Sequence, residues 1–158
     1  MRYGLTLALR DIAPFSRAEV VIKDLIERRI RDKGLVLEEI SHGKGEIIKL
    51  RDRRQFILGS ESDIGINKDN SIQIAVEIKG GIDPAGVLER FGAALKSLRR
   101  AKQESSKSIT ILIMHGVSLT PKAEEEVEKS KSIIDYFFTK HEVILLTSFS
   151  FPKTLFFF

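Results

Sequence analysis

Apolar residues recur along this chain at two different spacings, which separate predicted helices from predicted strands. Three segments show the three-to-four-residue spacing of amphipathic helices: residues 16–33, 83–102 and 120–139. Ser16, Asp83 and Thr120 stand where these helices begin, and all three residue types are favoured as N-caps. The chain is therefore expected to contain three helices.

Shorter runs predict strands, because apolar and polar residues alternate in them. They are residues 46–50, with 55–58 continuing the same meander, then 62–67, 72–79 and 142–148. Residues 109–114 are apolar throughout, which is typical of a buried strand. The predicted order is α-β-β-β-α-β followed by α-β, so we expect an α/β fold with helices on the faces of a mixed sheet.

The strands at 62–67 and 72–79 flank a polar turn and predict a β-hairpin. A register that pairs Ile64 with Val76 also pairs Asp63 with Glu77 on the opposite face. The same register pairs Ile66 with Ile74, so the apolar and polar faces agree. In the second strand the apolar face is expected to consist of Ile72, Ile74, Val76 and Ile78.

The polar face of this hairpin carries the candidate chemistry. Directly opposed residues lie roughly 4.5–5.5 Å apart, so Asp63 and Glu77 repel each other unless a cation lies between them. Mg²⁺ suits such a place, since it binds one or two carboxylates and phosphate oxygens. Lys79, two residues beyond Glu77, can hold a water against a phosphate or offset developing charge. These three residues predict phosphodiester hydrolysis with Mg²⁺ as cofactor.

Asp63 and the run Glu77-Ile78-Lys79 resemble the motif of the PD-(D/E)xK nuclease superfamily, whose common core has the same α-β-β-β-α-β order. The segment VEIKGGIDPAGVLERFGAALKSL is similar to the motif region of type II restriction endonucleases, in particular the XcyI-type family. The likeness covers about residues 16–115 of a single expected domain, residues 1–158. Ser62 departs from the pattern, which often has proline before the aspartate.

The resemblance implies a role for each matching residue. Asp63 and Glu77 would be metal ligands together with the backbone carbonyl of Ile78, and Lys79 would orient or activate the attacking water. Many superfamily members add an acid from the first helix, a role that Glu19 matches; Glu19 equally fits a capping-box partner at the helix start. The implied activity is that of a Mg²⁺-dependent type II endonuclease cutting double-stranded DNA, at a GC-rich palindrome in the XcyI-type case.

The charge distribution bears on the partner. The net charge is +4, and residues 1–107 carry 21 basic against 16 acidic residues, a net of +5. This balance suits an anionic partner such as nucleic acid, and a merely basic soluble surface is equally consistent with it. The candidate DNA contacts are Gln73, Lys44, Lys96, Arg99 and Arg100. For each of them the alternative is an ordinary solvated side chain.

Two other functions fit the same residues. One is a structure-selective nuclease, such as a Holliday junction resolvase or repair nuclease, and the other is a catalytically inactive nucleic-acid-binding module. The chain has no Cys, which excludes disulfides and Cys-based zinc sites. It has no run of ~18 apolar residues, so we expect a cytoplasmic protein without a membrane partner.

The end of the chain is rich in phenylalanine. Seven of the ten Phe lie between residues 137 and 158, and a cluster of this kind marks an interface when it is exposed. Residues 120–158 are therefore expected to form a helix, a strand and a tail packed on the core or on a second subunit. Type II endonucleases act as symmetric dimers, so a homodimer is expected. The resemblance leaves open whether these 158 residues are a fragment of a longer enzyme.

Overall fold

The computed structural model describes residues 18–42, 45–59, 62–81, 83–116 and 119–143. In this part of the chain the longer helices are α1 (Ala18–Asp32), α2 (Val87–Glu104) and α3 (Pro121–Lys129). The strands are β1 (Val36–His42), β2 (Gly45–Leu50), β3 (Arg54–Leu58), β4 (Ile64–Lys68), β5 (Ser71–Lys79), β6 (Ile109–Met114) and β7 (Tyr136–Thr139).

The strands form one seven-stranded sheet, in which they lie side by side in chain order. From β1 to β5 the neighbours are antiparallel, whereas β5, β6 and β7 are parallel. Helices α2 and α3 provide the crossover connections that the parallel neighbours require. The predicted α/β class and the mixed sheet are confirmed.

The helices cover the two faces of the sheet differently. On what we call the first face, Ile26 and Ile30 of α1 belong to a buried cluster with side chains from β2 to β6. On the second face, α2 and α3 pack against Ala75, Leu112 and Met114 of β5 and β6. Alternation along β5 therefore points Glu77 and Lys79 to the second face, the side of α2.

Strand β1 is absent from the prediction, because the adjacent acids Glu38 and Glu39 hide its alternation. The structure pairs β1 with β2 from Val36 opposite Leu50 to His42 opposite Gly45. The two residues that connect these strands, 43 and 44, lie outside the described residues. The antiparallel part of the sheet thus has five strands instead of the predicted three, because β1 is added and residues 45–58 contain two strands.

The predicted end of the chain is wrong in two places. Helix α3 ends at Lys129 rather than 139, and the β-branched and aromatic residues after it lead into strand β7. Residues 140–143 are helical where a strand from 142 is expected. The N–H of Glu142 donates to Thr139 Oγ1 at 3.3 Å, and Glu142 Oε2 accepts from the N–H of Thr139 at 2.7 Å. This reciprocal pair is a capping box, which starts a helix.

The start of α2 is also shifted. The pattern predicts Asp83 as the N-cap, but α2 begins at Val87 with Gly86 before it. Asp83 instead accepts a hydrogen bond from the N–H of Ala85 at 3.0 Å. This local turn competes with the helix for the aspartate side chain and delays the helix by one turn.

Parts of the predictions lie outside the described residues: the Ser16 cap, residues 144–148 of the last predicted strand, and the Phe-rich tail. Among the helices that the structure describes, none is long and apolar enough to cross a membrane.

Candidate active site

The predicted hairpin register is confirmed. Strands β4 and β5 pair Ile64 with Val76 and Ile66 with Ile74. Two residues with positive φ, Asp69 and Asn70, connect the strands, as a tight two-residue hairpin turn requires. The register brings Asp63, the residue before β4, to the level of Glu77.

A β-bulge alters the other end of the hairpin. Because Asn67 pairs with Ile72 while Ile66 pairs with Ile74, Gln73 is an extra residue in β5. Ile72 consequently packs with the cluster on the second face, whereas Ile74, Val76 and Ile78 belong to the first face. The prediction that Ile72 shares the apolar face of Ile74 is wrong for this reason.

Asp63 is bound to the peptide that follows Glu77. Its Oδ2 accepts a hydrogen bond from the N–H of Ile78 at 2.7 Å and lies 3.4 Å from Lys79 Nζ. The carboxylate thus spans the gap between the two strands and reaches the centre of the predicted motif. Asp63 thus contacts the backbone of Ile78, the residue whose carbonyl is a predicted metal ligand and which directly follows Glu77.

Lys79 joins the two carboxylates. Its Nζ lies 2.6 Å from Glu77 Oε2 as well as 3.4 Å from Asp63 Oδ2. The side chains of Lys79 and Asp63 are 21% and 20% exposed, so this end of the site is open to small solutes. One ammonium group therefore offsets the repulsion between two acids that the register brings together.

Glu77 is buried and has a second partner. It is only 4% exposed, and its Oε1 accepts a hydrogen bond from Ser97 Oγ of α2 at 2.6 Å. The sequence offers a weak signal for Ser97, a lone hydroxyl beside the buried positions Ala94, Leu98 and Ala101 of an amphipathic helix. Which strand residue it meets depends on how α2 lies on the sheet, so the pattern alone does not single it out.

Burial and charge shift the titration of this group. Burial raises the pKa of Glu77 above its ordinary value, and the hydrogen bonds from Lys79 and Ser97 offset only part of that rise. For Lys79, burial lowers the pKa, but the hydrogen bond to Glu77 and the charges of both acids outweigh it, so the net pKa is raised. The lysine therefore carries its proton at neutral pH.

The donor set fits a hard, weakly ligated cation. In the described part of the chain no group of three or more His, Cys, Asp or Glu side chains is placed to hold a metal. Zn²⁺ sites are built mainly from His and Cys ligands, and Ca²⁺ takes six to eight oxygens, whereas Mg²⁺ binds with one or two carboxylates and several waters. Asp63, Glu77 and Ile78 thus remain the predicted ligands, with Mg²⁺ as the predicted ion.

Glu19 remains a prediction. Its backbone belongs to the first turn of α1, but its side chain lies outside the described residues. Helix α1 packs on the first face through Ile26 and Ile30, whereas Glu77 and Ser97 meet on the second face. The acid would have to reach the site from the other side of the sheet.

The predicted DNA contacts have different surroundings. Lys96 and Arg99 are exposed on α2 beside Ser97, and Arg100 is exposed there with an ion pair to Glu104 at 3.0 Å. Gln73 is exposed at the bulge, four residues and about 13 Å along the strand from Glu77. Lys44 lies outside the described residues. All five remain predictions.

The loop after Lys79 is held by Arg90, which the sequence pattern does not single out. Arg90 Nη2 donates to the carbonyl oxygen of Asp83 at 2.5 Å. A Cβ atom at Gly81 would lie 2.5 Å from Arg90 Cζ, and one at Gly86 would lie 2.6 Å from Nη1. The guanidinium therefore needs both glycines in order to lie against this loop.

Comparison with known proteins adds no family to these observations. The sequence matches no protein-family model and no curated protein sequence. The likeness to PD-(D/E)xK nucleases accordingly depends on the motif residues and on the order of elements around them.

Proposed function

We propose that this protein is a Mg²⁺-dependent DNA endonuclease of the PD-(D/E)xK type, and that it acts as a type II restriction enzyme on double-stranded DNA. The observation that carries the proposal is the meeting of Asp63, Glu77 and Lys79 within hydrogen-bond reach at the end of one hairpin. Two acids and a lysine at 3.4 and 2.6 Å are the groups that metal-assisted phosphodiester hydrolysis uses.

The arrangement of elements supports the same proposal. Strands β3, β4 and β5 form an antiparallel meander, α2 crosses over, and β6 returns parallel to β5. Together with α1, these elements match the α-β-β-β-α-β order of the superfamily core, with β1 and β2 added between α1 and β3 and with β7 added at the other edge of the sheet. Fold order is an analogy, so the motif residues carry the functional argument.

Each residue has a defined part in the proposed reaction. Asp63, Glu77 and the carbonyl of Ile78 would hold Mg²⁺, which supplies charge to stabilise the phosphoryl oxygens when bound. Lys79, protonated and already directed at the carboxylates, donates to the attacking water or to a phosphate oxygen and orients it. Attack in line on phosphorus releases the 3′-oxygen and leaves a 5′-phosphate. Glu19 would assist only if its side chain reaches this group.

The partners follow from the substrate. A restriction enzyme reads a palindrome through two-fold symmetry, so the proposal includes a homodimer and, in the XcyI-type case, a GC-rich site. A structure-selective nuclease remains the alternative activity, and an inactive nucleic-acid-binding module the alternative without activity. The intact set of two acids and a lysine favours an active enzyme over the inactive module.

Cleavage of plasmid and phage DNA tests the proposal. With Mg²⁺, wild type should give discrete fragments, whereas Glu77→Ala and Lys79→Ala should each lose about 10²–10³-fold in rate, because one removes a proposed metal ligand and the other removes the cation beside the reacting phosphate. Lys49→Ala is the matched control, since Lys49 pairs with Glu38 at 2.8 Å near the β1 edge of the sheet, three strands away from β5.

Three outcomes separate the candidate functions. Discrete fragments that disappear only in the two site variants support a sequence-specific nuclease. Intact linear DNA with cut four-way junctions would replace the restriction activity by a structure-selective one. Tight DNA binding without cleavage of either linear DNA or four-way junctions would indicate an inactive nucleic-acid-binding module.

A further inference from the structure

We propose that Ser97 is a positioning residue that makes this site selective for Mg²⁺ over larger divalent ions such as Ca²⁺. The inference deepens the proposed function and rests on it, because it concerns the metal that Asp63 and Glu77 would bind. The inference depends on the observation that the two carboxylate oxygens of Glu77 have different hydrogen-bond partners. The motif residues themselves give no information about helix α2.

The hydroxyl of Ser97 occupies one oxygen of Glu77. Ser97 Oγ donates to Oε1 at 2.6 Å, while Oε2 faces Lys79 Nζ at 2.6 Å on the side of Asp63. Only Oε2 therefore points toward the space that both carboxylates share. A cation held between Asp63 and Glu77 meets one oxygen of the glutamate rather than two.

The position of the hydroxyl is itself fixed. Ser97 lies on the flank of α2, beside Ala94, Leu98 and Ala101, which are buried against the second face of the sheet. Glu77 is 4% exposed, so water does not replace the serine easily when the hydroxyl is removed. The helix thereby holds the carboxylate in one orientation.

Coordination chemistry converts this orientation into selectivity. Mg²⁺ requires near-octahedral geometry, keeps several waters and is satisfied by single carboxylate oxygens. Ca²⁺ takes six to eight oxygens and readily uses both oxygens of one carboxylate. A glutamate with one oxygen occupied by serine therefore suits the smaller ion and withholds a ligand from the larger one.

Calorimetric titration of the full chain with MgCl₂ or CaCl₂, without DNA, tests the inference. In Ser97→Ala, Mg²⁺ affinity should fall about 10–100-fold, the usual effect of losing a residue that orients a metal ligand. Ca²⁺ affinity should fall much less, because Oε1 becomes available to it. The Mg²⁺-to-Ca²⁺ affinity ratio should thus fall about 10-fold or more.

Two further variants separate positioning from packing. Ser97→Thr keeps the hydroxyl and should keep the wild-type ratio. Ser97→Cys keeps the size of the side chain but has a weak donor, so its ratio should lie near that of Ser97→Ala. If Ser97→Ala does not fold, the cysteine variant decides the question by the same ratio.

The outcomes distinguish this inference from the proposed function. If wild type binds Mg²⁺ and Asp63→Asn abolishes that binding, but the serine variants weaken both metals equally, Ser97 has only a structural role and the inference is wrong. If wild type shows no metal binding that Asp63→Asn removes, the metal site itself fails, and the proposed function fails with it.

Discussion

At Glu77, burial and charge act in opposite directions on one carboxylate. Burial raises its pKa, and the hydrogen bonds from Lys79 and Ser97 recover part of the cost of ionisation. A carboxylate held in this way contributes little to the stability of the fold at neutral pH, and in the proposed function its part is that of a metal ligand. Removal of its charge should therefore stabilise the fold, whereas the same change should abolish the proposed activity.

Glu77→Gln should raise the melting temperature of the metal-free protein at pH 7 by about 2–4 °C, the effect of ~1 kcal/mol in a domain of this size. The folded pKa lies above the ordinary value of 4.5, so the native state binds more protons than the unfolded state between those two values. Wild-type stability from this group is consequently present below pH 4.5 and is lost as pH rises through the folded pKa.

Thermal unfolding of wild type and Glu77→Gln in a chelating buffer between pH 4 and pH 8 measures this contribution. The difference between their melting temperatures should grow as pH rises from the acidic end and then level off. A Glu77→Gln protein less stable than wild type at pH 7 would mean that the ion pair with Lys79 stabilises the fold more than burial opposes it.

At the scale of elements, helix α2 provides two contacts to the site region that the motif residues Asp63, Glu77 and Lys79 do not themselves indicate. Arg90 and Ser97 are seven residues apart, which is two helical turns, so they share one flank of the helix. Ser97 contacts Glu77 in β5, and Arg90 contacts the loop that leaves β5 after Lys79. The helix therefore fixes both the strand that carries the motif and the loop that follows it.

Gly81→Ala should lower the free energy of unfolding by about 1 kcal/mol, because the new Cβ would displace the guanidinium from the Asp83 carbonyl. Gly92→Ala is the matched control. Gly92 is exposed within α2, and a Cβ there meets nothing within 4 Å. Gly92→Ala should therefore raise the free energy of unfolding by about 0.5–1 kcal/mol.

Denaturant unfolding measures both changes. In an Arg90→Ala background the loss caused by Gly81→Ala should largely disappear, since the atoms that clash are gone. An equal loss in both backgrounds would show that the loop backbone, and not Arg90, requires the glycine.

At the scale of the molecule, the two ends of strands β4 and β5 carry different groups. Asp63, Glu77 and Lys79 lie where β4 begins and β5 ends. The basic turn before β3, with Arg53 at φ 71°, lies at the other end beside the β4–β5 turn, about 20 Å from Glu77 along the strand. The affinity for a nucleic acid bound at the site should therefore depend on the basic residues of α2 and should not depend on the basic residues of the turn before β3.

In protein that also carries Lys79→Ala, which should prevent cleavage, the double substitution Lys96→Gln and Arg99→Gln should weaken DNA binding. It should also reduce the slope of log affinity against log salt by about 1.8, or about 0.9 for each lost phosphate contact. Arg53→Gln, 76% exposed at the far end, is the control and should leave the slope unchanged. Equal effects from both changes would indicate binding by overall charge.

The hairpin could be predicted because its information is local. Alternating apolar residues and a polar turn determine the β4–β5 register, and the register alone brings Asp63 to Glu77. The bulge at Gln73 could not be predicted in this way, because an extra residue is tolerated wherever packing on both faces allows it. The strand β7 and the helical turn after it were obscured by a helical spacing that continues past the end of α3.

The sequence by itself determined the α/β class, the central strands and the meeting of Asp63 with Glu77 and Lys79, since these follow from periodicity and from spacing within one hairpin. Only the tertiary structure decided that Ser97 holds Glu77, that Arg90 holds the loop after Lys79, and that Ile72 turns to the second face. Each of those contacts either joins α2 to the sheet or depends on a β-bulge. The position of a docked helix and the place of a bulge leave no periodic pattern of apolar residues, so neither can be predicted from a single sequence.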